Sequence, residues 1–70
     1  MSEIIFEVTE AEEGGYNPRA LGFDIFTQGA DVEDLKNMVR DAVECHFADE
    51  TIDKPRIVRL HFVRDEVLAL

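Results

Sequence analysis

Between Phe23 and Leu35 the sequence changes its hydrophobic period with almost no spacer, and that junction constrains the fold more than any other stretch. Phe23, Ile25 and Thr27 alternate with Asp24, Phe26 and Gln28, the period-two pattern of a strand. After Gly29-Ala30-Asp31, Leu35, Met38, Val39, Ala42, Val43 and His46 recur at three- and four-residue spacing, while Glu33, Lys36, Asn37, Arg40, Asp41 and Glu44 fill the opposite side. That is an amphipathic helix with one stripe for a sheet. Asp31 stands at the N-cap, Asp34 follows as a short version of the capping-box acid, and Glu33 adds charge at the positive end of the helix dipole. A strand must turn at once into a helix that folds back over the sheet. Gly29 and Asp31 are the structural residues this turn calls for.

The flanking segments complete the pattern. "EIIFEVTE" places Ile4, Phe6 and Val8 on one side and Ile5, Glu7 and Thr9 on the other, a strand with one apolar face. "AEEGG" then reverses the chain, because Gly14 and Gly15 tolerate positive φ and the acids keep the loop in water. The return run "YNPRAL" is expected to be short or distorted, since Pro18 lacks a ladder donor, and Gly22 separates it from the third run. "ADETIDK" carries loop chemistry up to Pro55, and "RIVRLHFV" alternates Val58, Leu60 and Phe62 against Arg59 and His61 as a final strand. The order β-β-β-α-β predicts one α+β domain spanning 1–70, with three antiparallel strands and one helix on one sheet face. A right-handed crossover makes the last strand parallel to the first.

One helix covers one face, so the other must be polar or buried by a second copy. Ile5 and Phe26, opposite Phe6 and Ile25, are the candidate oligomer interface. A 70-residue chain builds a modest core, which also favours a homo-oligomer. Sixteen acids against seven bases leave a charge of -9, which repels phosphate backbones and anionic lipid. Nucleic-acid binding by the chain itself is not expected. No run approaches the roughly 18–20 apolar residues of a membrane span. Cys45 is the lone cysteine and no leader pattern follows Met1, so a cytoplasmic protein is expected. The candidate partner-binding residues are the Glu10, Glu12, Glu13 loop and the Asp49, Glu50, Asp53 loop, both suited to a basic protein.

Gly15, Tyr16, Gly22, Thr27, Gly29, Asp31, Val32 and Leu35, with the helix end at Ala42 and Val43, together resemble the core of the HicB-like antitoxin family. The resemblance covers most of the chain. It implies a partial ribonuclease H-like fold and, as a role, neutralisation of a small basic HicA-like ribonuclease toxin. Leu21 stands where family members often carry Pro. After Phe62 there is only "VRDEVLAL", where many antitoxins append a DNA-binding segment, so the likeness is to short stand-alone members and operator binding is not expected.

A ribonuclease H-like fold directs attention to carboxylates that could hold two metal ions, and Glu7, Glu44 and Asp65 are the nearest candidates. Glu7 lies on the half-polar side of its strand and Glu44 on the wet helix face, so solvation is the expected role of these acids. Cys45, His46 and His61 lack ligand spacing, and His46 is expected to close a core edge through one hydrogen bond. Ser2, the sole serine, sits at a terminus, and the glycines form no phosphate-cradling loop. The expectation is a non-enzymatic acidic interaction module without cofactor or metal. An orphan structural homo-oligomer is the alternative, and a residual metal-dependent nuclease a weaker one.

Overall fold

The fold is given by a computed structural model that describes residues 2–49 and 53–70. Its elements are β1 (Glu3–Glu10), β2 (Tyr16–Ala20), α1 (Val32–His46) and β3 (Ile57–Val63). The sheet order is β2-β1-β3, with β2 antiparallel and β3 parallel to the central β1. This is the α+β arrangement expected from the sequence, with a helical crossover leading to a final strand parallel to the first.

Strand register builds the core. Val8 opposes Pro18, Phe6 opposes both Ala20 and Leu60, and Ile4 opposes Val58, so the apolar members of three strands share one face. Leu35, Val39 and Val43 are the buried residues of α1 and join that face in one cluster with Ile25 and Phe47. Phe6, Val8 and Leu35 are wholly buried. Each such side chain stabilises the fold by about 1.5–3 kcal/mol relative to exposure. Phe47 was not part of the predicted stripe, which ended at His46. It is the C-cap, donating its N–H to the Val43 carbonyl at 3.0 Å, and its ring is buried. His46 is exposed and makes no hydrogen bond among the described residues. It closes the core edge through edge-on ring contacts with Phe23 (6.0 Å) and Phe47 (4.9 Å) instead.

The third run, residues 23–28, keeps the expected alternation: Ile25 is buried while Asp24, Phe26 and Gln28 are exposed. It lies along β2 without forming a continuous ladder: Arg19 is bridged to Phe26, the Ala20 N–H donates to the Ile25 carbonyl at 2.9 Å, and Tyr16 is bridged to Gly29 just beyond the run. Pro18 explains why. The Thr27 N–H donates to the Pro18 carbonyl at 3.2 Å, but the return bond would have to come from a ring nitrogen with no hydrogen. The distortion expected within the proline strand therefore falls on its neighbour, and β2 keeps a five-residue ladder with β1.

Two glycines hold the junction closed. Gly15 has φ +85°, and a Cβ there would stand 2.5 Å from the Gly29 carbonyl oxygen. Gly29 is required for space, because a Cβ would meet the Leu35 Cα at 2.5 Å. The two segments are tied by Tyr16 N–H to the Gly29 oxygen (2.8 Å) and Gly29 N–H to the Tyr16 oxygen (3.0 Å). Asp31 caps the helix as expected, its Oδ1 accepting from the Asp34 N–H at 2.8 Å. The Asp34 carboxylate reaches back to accept from the Ala30 N–H at 2.8 Å.

Candidate interaction surfaces

The hairpin after β1 is a tight loop, closed by Ala11 N–H to Gly15 oxygen (3.0 Å) and Gly14 N–H to Ala11 oxygen (3.1 Å). It holds Glu10, Glu12 and Glu13 beside the start of α1, and with Asp34 they line a shallow concavity of about 710 Å³. Asp31, Glu33 and Asp34 bring the helix-start acids to this end. Spacing alone did not signal that juxtaposition, which depends on the Tyr16–Gly29 bridge. The second acidic loop lies elsewhere. Asp53 precedes β3, whose first residue pairs with Glu3, so it sits at the opposite end of β1 from the hairpin. An eight-residue strand separates the two ends by roughly 23 Å. Asp49 follows the far end of α1, and Glu50 lies outside the described residues. The two predicted loops are therefore two surfaces, and the helix-start acids lie with the hairpin loop.

The sheet face away from α1 carries Ile5 and, through the Arg19 bridge, Phe26, as the alternation required. Phe26 is 72% exposed. The centre of this face is polar. His61, Glu7 and Arg19 stand in one row across β3, β1 and β2, with Phe26 continuing it. One strand step away Arg59 donates to the Glu3 carboxylate, and this hydrogen bond, then the charge of Glu3, raise the Arg59 guanidinium above its ordinary range.

The candidate chemical groups do not meet. Glu7 is half-buried on the outer sheet face, Glu44 is exposed on α1 and ion-paired with Lys54, and Asp65 is exposed beyond β3. Cys45 is exposed on the helix and His61 lies on the outer face. Among the described residues no three of His, Cys, Asp or Glu form a group that could hold a metal ion. Nor, among them, is any helix long and apolar enough to cross a membrane.

Known proteins resemble the chain over most of its length. A UPF0150 protein of Thermotoga maritima is 41% identical over 68 residues, covering 97% of this chain and 93% of the relative. A UPF0150 protein of Archaeoglobus fulgidus is 52% identical over 54 residues, 77% of each. The chain belongs to the UPF0150 family. No family model and no solved structure matches it.

This UPF0150 chain has one surface of opposite character, which sequence reasoning missed. A groove of about 750 Å³ runs between α1 and β3. Lys36, Arg40, Lys54 and Arg56 line it with a single acid, Glu44, over Val58 and Leu60, which gathers four of the seven bases in a chain of charge -9. Lys36 lies 3.7 Å from Glu33 and Lys54 pairs with Glu44. Arg40 donates to Asn37 at 3.3 Å, and neither it nor Arg56 has an ion pair among the described residues. The four bases are spread over 21 positions of sequence, so only the crossover gathers them.

Proposed function

We propose that this UPF0150 protein is a non-enzymatic cytoplasmic interaction module of HicB type, whose acidic end holds a small basic ribonuclease toxin. The observation that supports it is the gathering of Glu10, Glu12 and Glu13 with the acids of the α1 start at one end of the fold. Asp31 and Asp34 are engaged in the cap, and the hairpin glutamates make no ion pair among the described residues. Such an end accelerates encounter with a cationic protein while the whole chain's charge repels nucleic acid. At about 0.15 M salt the Debye length of roughly 8 Å leaves contact-range attraction in place.

The test is co-expression with any small basic protein that proves to be encoded beside it. A complex that elutes together at physiological salt, separates at high salt and suppresses RNA cleavage by the partner is expected. Glu10→Gln, Glu12→Gln and Glu13→Gln together slow association and leave the fold intact. A neighbouring basic protein that does not bind, or submicromolar binding of duplex DNA by the isolated chain, overturns the reading. A second reading, a structural homo-oligomer with no toxin, is favoured by a different observation: among the described residues no strand pairs with the outer edge of β3, and exposed apolar residues follow it.

A further inference from the structure

We propose that the outer edge of β3 pairs antiparallel with the same edge of a second copy, about a two-fold axis at Leu60, and so joins two three-stranded sheets into one. The inference rests on the homo-oligomer reading, to which it assigns a surface and a register, and it needs no toxin.

The Ile57 N–H donates to the Ser2 carbonyl at 3.0 Å, so the backbone of Ile57 faces β1. Alternate residues of a strand turn their amide and carbonyl to the same side. Arg59, His61 and Val63 therefore also face β1, and Val58, Leu60 and Phe62 turn their backbone groups outward. Among the described residues no strand or isolated bridge takes up those groups. Free edges are ordinarily blunted by proline, a bulge, an inward charge or a covering segment. The opposite edge of the sheet has such protection, since β2 carries Pro18 and residues 23–29 lie along it. β3 has no proline.

The β3 sequence "IVRLHFV" has the same chemical character read from either end, with Leu60 at its centre. A two-fold axis there sets Val58 against Phe62 of the second copy and Leu60 against its own counterpart. These are the outward residues, so each opposed pair exchanges both of its hydrogen bonds and no outward group is left over. Their side chains lie on the helix side of the sheet, which α1 covers over β1 but not over β3. Ile4, Phe6 and Val8 are buried, whereas their register partners Val58 and Leu60 are half-buried and Phe62 is 48% exposed. The pairing sets apolar against apolar on that side. On the other face Arg59 meets His61 of the second copy, and each has an acid on β1: Arg59 donates to Glu3, and His61 is in register with Glu7. The basic grooves of the two copies flank the axis on the helix side, where Lys36 lies near Glu33 and Lys54 pairs with Glu44. The contact is isologous and uses the free edge of each copy, so it closes as a dimer and does not propagate into a fibre.

Sedimentation of the full chain at micromolar concentration is expected to give a dimer. Because two chains of charge -9 repel each other, added salt tightens it, the reverse of the response expected for a basic partner at the acidic end. Amide exchange of the wild type is expected to slow at Val58, Leu60 and Phe62 as concentration rises through the dimer range. The chain made by chemical synthesis with a methyl group on the Leu60 nitrogen keeps every side chain and the β1 ladder but loses a central donor in each copy. Its circular dichroism is unchanged and its dimer is weaker by about tenfold or more. Phe26→Ser, on the opposite sheet face, leaves the dimer as it is. A monomeric wild type overturns the homo-oligomer reading and the edge together. A dimer whose Val58, Leu60 and Phe62 amides exchange freely, or one indifferent to the methyl group, overturns the edge alone and leaves self-association standing. A dimer that loosens as salt rises is held by charge, and that too overturns the edge.

Discussion

Replacing Gly29 by alanine tests the closest approach in the fold. The added Cβ would lie 2.5 Å from the Leu35 Cα, 2.7 Å from its nitrogen and 2.9 Å from its Cβ. Carbon atoms sit comfortably at about 3.5–4.0 Å, so the start of α1 must retreat by roughly 1 Å. Leu35 is wholly buried, and moving its backbone opens the core while straining the Asp31–Asp34 cap. Overpacking of this kind costs about 1–3 kcal/mol. Alanine's stiffer unfolded chain offsets about 0.4–1 kcal/mol of that. The expected net loss of roughly 1–2 kcal/mol is substantial for a chain of this size, whose whole stability is on the order of 3.5–10 kcal/mol. Urea denaturation followed by circular dichroism measures it, at fixed protein concentration because any self-association would shift apparent stability. Amide exchange locates it, with faster exchange at Asp34 and Leu35. Gly22→Ala is the contrast: its φ is +84° with nothing within 4 Å of the new Cβ. That change costs backbone strain of about 1–2 kcal/mol and leaves the helix start protected. A Gly29→Ala chain as stable as the wild type, with unchanged exchange at Leu35, would refute the close-approach account.

Two further substitutions probe the same half of the molecule. Asp31→Ala removes the 2.8 Å bond to the Asp34 N–H and is expected to lower stability by about 1 kcal/mol; an unchanged urea midpoint contradicts that role. Pro18→Ala supplies the donor that the Thr27 carbonyl lacks. A hydrogen bond of about 0.5–1.5 kcal/mol is then opposed by about 0.4–1 kcal/mol from loss of the stiff ring, so stability changes little. The new amide at position 18 should exchange slowly, and rapid exchange there would show that proline is not what interrupts the third strand.

Much of the fold was legible because it is written in local periodicity. Ile4, Phe6 and Val8 alternate, Leu35, Val39 and Val43 recur at helical spacing, and Asp31 with Asp34 marks the helix start within four residues. The broken third strand was half legible. Pro18 announced a missing donor, but which neighbour loses the bond depends on which side of β2 that nitrogen faces, and pairing decides it. Phe47 escaped because the helix ends before it, so its burial follows from the C-cap and not from the stripe.

The sequence by itself determined the strand and helix segments, the crossover order and the sites of the turn glycines. These are near-neighbour properties, set by side-chain alternation, capping and allowed φ. Tertiary structure decided what the surfaces are. It joined the hairpin glutamates to the helix-start acids, sent the Asp53 loop to the other end of β1, and separated Glu7, Glu44 and Asp65. It also collected Lys36, Arg40, Lys54 and Arg56 into one groove. Charges distant in sequence act together only when strand register and the crossover place them within a few ångströms, because screening confines their interaction to about 8 Å at physiological salt.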